Sequence, residues 1–321
     1  DSERAFGMTK TDEPASFDVR SARDMARRVI EHHFGTKPKR IVHQASGLSN
    51  FVFLVHHAEG EFIVRISPEP AKLNAFIKEQ WAVAQARAAG VPTSEILEVG
   101  NEVIPYPFMV SQRVRGHEAT RHPERLSILR EMGRYAALIN SIPTAGFGSV
   151  FDWSNNQLSR NETWDDFLHK ELRLEARLEL LRRHRMLSPQ KLKELSSSLE
   201  GAAGRKLKPA LNHGDLRLKN VMVDERGAIT AIIDWEDCVS SIAPQWELSV
   251  ALHDLSIDEK QEFLQGYGLP DKKATEIAPV VKALNLINYA PYVEQLAEAG
   301  NAAQIERYRT RLSGALDLYS L

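Results

Sequence analysis

The chain has 321 residues, 43% of them hydrophobic, and a formal net charge of −2. That length and apolar content suffice for two lobes with their own cores. The near-neutral balance argues against a nucleic-acid or lipid-surface partner, which would call for a strong basic excess. A single cysteine, Cys238, excludes an intramolecular disulfide and a cysteine-built zinc site, and fits a reducing, cytoplasmic setting. No apolar run is long enough to span a bilayer.

Residues 1–15 are polar and mixed and read as a mobile tail, with Met8 as a candidate natural start. The stretch SARDMARRVIEHHFG has apolar residues at helical spacing, Ser21 or Asp24 near its start and Gly35 as a stop, so a helix is predicted. RIVHQ, NFVFLVHH and EFIVRIS are short, rich in Val, Ile and Phe and separated by turn residues, which predicts three antiparallel strands. Residues 71–90 form a second helix ending on Gly90. EILEVG and PFMVSQRV add two strands. Residues 16–113 are therefore expected to form a small antiparallel sheet lobe with one inserted helix.

From residue 114 to residue 321 the character is mainly helical. PERLSILREMGRYAALINSI and NETWDDFLHKELRLEARLELLRRHRM each predict one long helix, and SPQKLKELSSSLEGAAG a further one with Ser188 as N-cap and Pro189 at its first position. Two short strands interrupt: NVMVD and AITAIIDW, joined by a turn at Gly227. The expectation is an α+β chain, a small sheet lobe followed by a larger helical lobe carrying a β-hairpin.

The hairpin carries the chemistry. Asp215 stands before one strand, Asn220 enters it and Asp234 closes the other, so the three should converge on one cavity. An asparagine carbonyl with a carboxylate is hard oxygen ligation, suited to Mg2+ on a phosphate chain. A second carboxylate can orient a hydroxyl and accept its proton. Phosphoryl transfer asks for these parts.

HGDLRLKN followed by IIDWED resembles the catalytic loop and metal-binding segment of the aminoglycoside phosphotransferase family, whose fold is protein-kinase-like. The likeness extends to PFMVSQRVRG as a lobe linker and AGFGSV before the TWDDFL helix, and in layout is most similar to hygromycin-type phosphotransferases. The resemblance implies Asp215 as catalytic base, Asn220 and Asp234 as magnesium ligands, ATP or GTP as co-substrate, and His213 as support for the loop. Arg217 stands where the family often has histidine and is a candidate for stabilising charge on the transferred group.

For the nucleotide, Ser46, Gly47, Ser49 and Asn50 lie in a strand-to-strand turn whose small residues let backbone N–H groups approach phosphate oxygens. Arg65, flanked by Val64 and Ile66, resembles the strand cation of the family, with Glu79 as its expected partner. Backbone groups of Ser111 and Arg113 are candidates for the base. For the acceptor, Glu236, Asp237 and Glu247 are candidates; the family's Gly-Asp pair after the metal aspartate is missing here. The acceptor is left open between an aminoglycoside-type antibiotic and a metabolic sugar, choline or amino-alcohol. A non-catalytic nucleotide-binding protein of the same fold is the further alternative. A protein kinase is disfavoured because DWED runs almost directly into PQWELSVAL, with no activation-loop length between.

Overall fold

The structure is a computed structural model that describes residues 18–44, 50–151, 159–203 and 208–312. The predicted N-terminal tail, and Ser46, Gly47 and Ser49 of the predicted phosphate-binding turn, lie outside the described residues. Two compact units are formed. One comprises the described residues up to Leu73 together with Leu97–Ser111; the other comprises Asn74–Ile96 and the described residues from Gln112 onward.

The first unit is a five-stranded sheet covered by one helix. Helix α1 (Val19–Phe34) buries Ala22, Ala26, Val29 and Ile30, a single stripe at helical spacing. Its N-cap is Asp18, whose carboxylate accepts from Ser21 N–H at 2.8 Å. Strands β1 (Arg40–Gln44), β2 (Phe51–His57) and β3 (Gly60–Ile66) follow as an antiparallel meander. After helix α2 (Lys72–Ala88) come β4 (Ile96–Gly100) and β5 (Phe108–Gln112), and the sheet order is β1-β2-β3-β5-β4. Phe53, Val55, Phe62, Val64 and Ile66 alternate inward to meet the α1 stripe.

The sequence reading placed α2 in the sheet lobe, whereas by packing it joins the second unit from Asn74 onward. The reason is its buried face: Ala82, Val83 and Ala86 share one apolar cluster with Ile128, Met132 and Ala136 of α3 (Arg125–Asn140).

In the second unit, β6 (His117–Glu118) edges the predicted hairpin of β8 (Val221–Val223) and β9 (Ile229–Ile232). Two strands not read from the sequence, β7 (Pro209–Asn212) and β10 (Val239–Ile242), pair antiparallel beside it. The stretch expected as one long helix after residue 160 is broken into α4 (Trp164–Asp166), a π turn over Phe167–Glu171, and α5 (Leu174–Arg183). The break is at Arg173, which has φ +54°. Leu172 and Leu174 are both buried, yet on a continuous helix they would point about 200° apart. The left-handed residue between them turns both inward.

Helix α6 (Pro189–Ala203) starts as predicted, with Ser188 Oγ accepting from Lys191 N–H at 3.3 Å. Helices α7 (Gln245–Ala251), α8 (Ile257–Tyr267), α9 (Asp271–Glu298) and α10 (Ala302–Leu312) complete the unit. Helices α3 and α8 pack at backbone contact: a Cβ added at Gly266 would lie 1.8 Å from Arg130 O, and one at Gly133 would lie 2.0 Å from Phe263 O. No described helix is long and apolar enough to cross a membrane.

Candidate active site

Three backbone connections draw the candidate residues together. Strand β7 delivers His213 and Gly214; its partner β10 begins just after Asp237, in a register that sets Asn212 opposite Val239. Gly214 therefore passes directly over the Asp237 carbonyl: with φ +81°, it is placed so that a Cβ would lie 2.0 Å from Asp237 O. On the other side Ile233, the residue before Asp234, donates its N–H to Asn220 O at 2.9 Å. It also receives His213 Nε2–H on its carbonyl at 3.1 Å. Asp234 itself takes φ +63° and is exposed.

Asp215 is the centre of the group. One carboxylate oxygen accepts from Arg217 Nε; the other accepts from Lys219 Nζ at 2.8 Å and from Asn220 Nδ2 at 2.9 Å. Burial alone pushes this carboxyl up, but the hydrogen bonds from Arg217 and Lys219 outweigh it and hold it below the ordinary carboxylate range. Asp215 is thus ionised at neutral pH, as a proton acceptor must be. Its side chain is 9% exposed, with its donors packed around it.

His213 supports this loop and does not enter it. Its Nδ1 accepts the Asp215 N–H at 3.2 Å while Nε2–H donates to Ile233, which fixes a neutral imidazole. Full burial pushes its pKa down to about 4. Beneath it lies Glu247, which the sequence reading placed at the acceptor. The structure corrects this: Glu247 is 0% exposed and accepts the His213 N–H at 2.6 Å. It sits on the first turn of α7, pinned by its own N–H to Asn212 Oδ1 at 3.1 Å, so its side chain points into the protein. Burial pushes its carboxyl up to about 7.

A cavity of about 470 Å³ opens in front of Asp215. Gly214, Asp215, Asp237 and Trp246 line it, along with Lys78, Glu171, Arg177 and Tyr289. Of the acceptor candidates, Asp237 lines this cavity, and Glu236 is half-buried beside it in the chain. The Asp237 carboxyl is raised above the ordinary range by burial and by the neighbouring charges of Asp215 and Glu236, against the opposing pull of Lys78. Lys219, Lys78 and Arg177 were not singled out from the sequence. Lys219 could have been found, since it stands four residues after the aspartate inside the same motif; Lys78 and Arg177 carry no local signal.

The nucleotide candidates belong to both units. Arg65 on β3 donates to Met109 Sδ at 3.2 Å, within the sheet unit. Glu79 lies on α2 and is 6% exposed, on the same face as Phe76 and Val83, as its spacing requires. Asn50 begins the run into β2, Ser111 is a half-buried residue of β5, and Arg113 is exposed just beyond it. The pairing of Arg65 with Glu79 remains an expectation from the sequence.

The donor set suits a small hard cation. Asn220 uses its amide nitrogen on Asp215, leaving its carbonyl oxygen as an acceptor. Asp234 has no hydrogen-bond or ion-pair partner among the described residues. No group of three or more His, Cys, Asp or Glu that could cage a metal occurs among the described residues. Two oxygen ligands with the rest left to phosphate and water is how proteins hold Mg2+, in contrast to the all-protein cages of Zn2+ or Ca2+.

A sheet unit with one covering helix, and a helical unit whose hairpin carries Asp215, Asn220 and Asp234 around it, are the parts of a kinase-like phosphotransferase fold. The sequence model of the phosphotransferase enzyme family matches residues 23–276. The chain belongs to that family. Among solved structures, aminoglycoside phosphotransferase APH(4)-Ia is similar at 18% identity and a TM-score of 0.64, over 90% of this chain and 96% of that one. A thermostable mutant of the same enzyme in ternary complex with ADP and hygromycin B gives 18% identity and 0.64, over 89% and 96%. The GDP and kanamycin complex of APH(2")-IIIa gives 14% and 0.59, over 88% and 95%. At these identities the likeness establishes the fold. No curated protein sequence matches the chain.

Proposed function

We propose that this protein transfers the terminal phosphoryl group of ATP or GTP to a hydroxyl of a small molecule. The observation that carries the proposal is Asp215, an ionised carboxylate held by Arg217, Lys219 and Asn220 at the wall of a cavity of about 470 Å³. Asp215 orients the acceptor hydroxyl and takes its proton as the oxygen attacks. Arg217 and Lys219 keep that carboxylate ionised beforehand, and Arg217 offers charge to the phosphoryl oxygens during transfer. Asn220 and Asp234 would hold Mg2+, which when bound neutralises the phosphate chain. Arg65, Glu79, Ser46, Gly47, Ser49, Asn50 and the backbone at Ser111 and Arg113 supply the nucleotide contacts.

Binding of ADP, AMP-PNP or GDP by similar structures supports a nucleotide co-substrate, and their complexes with hygromycin B and kanamycin support a hydroxylated acceptor. The test is consumption of ATP and of GTP with a panel of aminoglycosides, sugars, sugar acids and amino-alcohols. Turnover with at least one acceptor, abolished in Asp215→Ala with nucleotide binding retained, is expected. Tight nucleotide binding with no turnover across the panel would instead favour a non-catalytic nucleotide-binding protein.

A further inference from the structure

Of the three carboxylates that line the acceptor cavity, Asp215 and Glu171 are held by protein groups, and Asp237 feels the opposing charge of Lys78. Asp215 is neutralised by Arg217 and Lys219. Glu171 accepts from Ser149 N–H and Oγ at 2.7 Å each and from Asn161 Nδ2 at 2.7 Å. Arg177 is not so matched. Arg177 on α5 lines the same cavity and spends one guanidinium N–H on Ile287 O at 3.1 Å. No carboxylate among the described residues lies within ion-pair distance of it, and its pKa is lowered by burial alone. A second cation, Lys78, is 6% exposed and lines the cavity too, where its charge acts on Asp237.

A half-buried guanidinium without a counter-charge is costly unless a ligand provides one. Its planar fork matches a carboxylate with two parallel hydrogen bonds. A polycationic acceptor would instead bring like charge against it. We propose that Arg177 is a specificity residue which recognises a carboxylate on the acceptor, so that the preferred substrate is a hydroxylated acid. This rests on the phosphotransfer reading above and names its substrate class.

The test compares matched acceptors at equal concentration, a uronic acid, its parent neutral sugar and the corresponding amino sugar, in the wild type and in Arg177→Gln. The acid is expected to be preferred, and Arg177→Gln to lose about tenfold or more in kcat/KM for the acid alone, mainly through KM. The KM for ATP should be unchanged. A raised KM for ATP in the variant, with acceptor preference intact, would place Arg177 at the nucleotide and overturn the proposal. So would preference for the amino or neutral sugar. Should none of the three be turned over, binding of the uronic acid measured by thermal shift decides. Stabilisation of the wild type and not of Arg177→Gln supports anion recognition while counting against phosphotransfer; equal shifts in both reject it.

Discussion

Lys219 reaches back one helical turn's worth of chain to place its Nζ 2.8 Å from Asp215 Oδ2. With Arg217 on the other oxygen, it sets the protonation state of the residue to which the chemistry is assigned. Asp215→Asn should therefore lower kcat by about 10²–10⁴-fold. Lys219→Met removes one of the interactions that depress the carboxyl, so the acid limb of kcat/KM against pH should move to higher pH. An unmoved limb in Lys219→Met would show that Asp215 is not the group being titrated.

Gly214 is required by geometry on two counts, a left-handed φ of +81° and the Asp237 carbonyl 2.0 Å from where a Cβ would stand. Gly214→Ala should displace Asp215 and Asp237 from each other. A shift of about 1 Å at reacting groups costs on the order of 10²-fold in rate, and kcat should fall accordingly. Circular dichroism should show the fold retained, and full activity in this variant would mean the loop does not position the base.

His213 and Glu247 oppose each other in pH. The His213 pKa falls from 6.5 to about 4 on folding, so its contribution to stability is present above 6.5 and lost as pH falls through 4. The Glu247 pKa rises from 4.5 to about 7, so its contribution is present below 4.5 and lost as pH rises through 7. Across the shared window the two slopes cancel in the wild type. Glu247→Gln should expose the His213 slope, gaining relative to the wild type as pH rises, by up to about 3 kcal/mol. His213→Asn should show the reverse drift. Urea unfolding at several pH values measures both, and parallel curves for all three proteins would contradict the assignment.

The α3–α8 contact predicts a stability effect far from the chemistry. Gly266→Ala places a methyl carbon 1.8 Å from Arg130 O, a backbone atom that has no flexible end to move. The helices must separate, at a cost of about 1–3 kcal/mol. A lowered urea midpoint with unchanged KM is the expected outcome. Gly201→Ala is the control, since nothing lies within 4 Å of its added Cβ.

Much of this was legible in one dimension. The alternation of Val, Ile and Phe in β2 and β3 and the stripe Ala22, Ala26, Val29, Ile30 predict a sheet with a covering helix, because burying one face demands those periods. The spacing of Asp215, Asn220 and Asp234 around a hairpin pointed to a shared site for a similar reason: short-range pairing makes nearby strand ends neighbours. The one-helix reading of residues after 160 failed at Arg173, where two buried leucines on either side of one residue required a reversal that periodicity averages away.

The remaining features depended on long-range pairing. The β7–β10 register brings Asp237 under Gly214, although each strand has only four residues and little pattern of its own. Burial made Glu247 a support for His213 when its charge had suggested an acceptor contact. Packing carried Lys78 from α2 and Arg177 from α5 into one cavity with Asp215, residues about 140 and about 40 positions away along the chain. Composition and local period fix which faces are buried and which residue types could react. Which of them meet, and in what state of charge, depends on contacts between distant segments, and those exist only once the chain has folded.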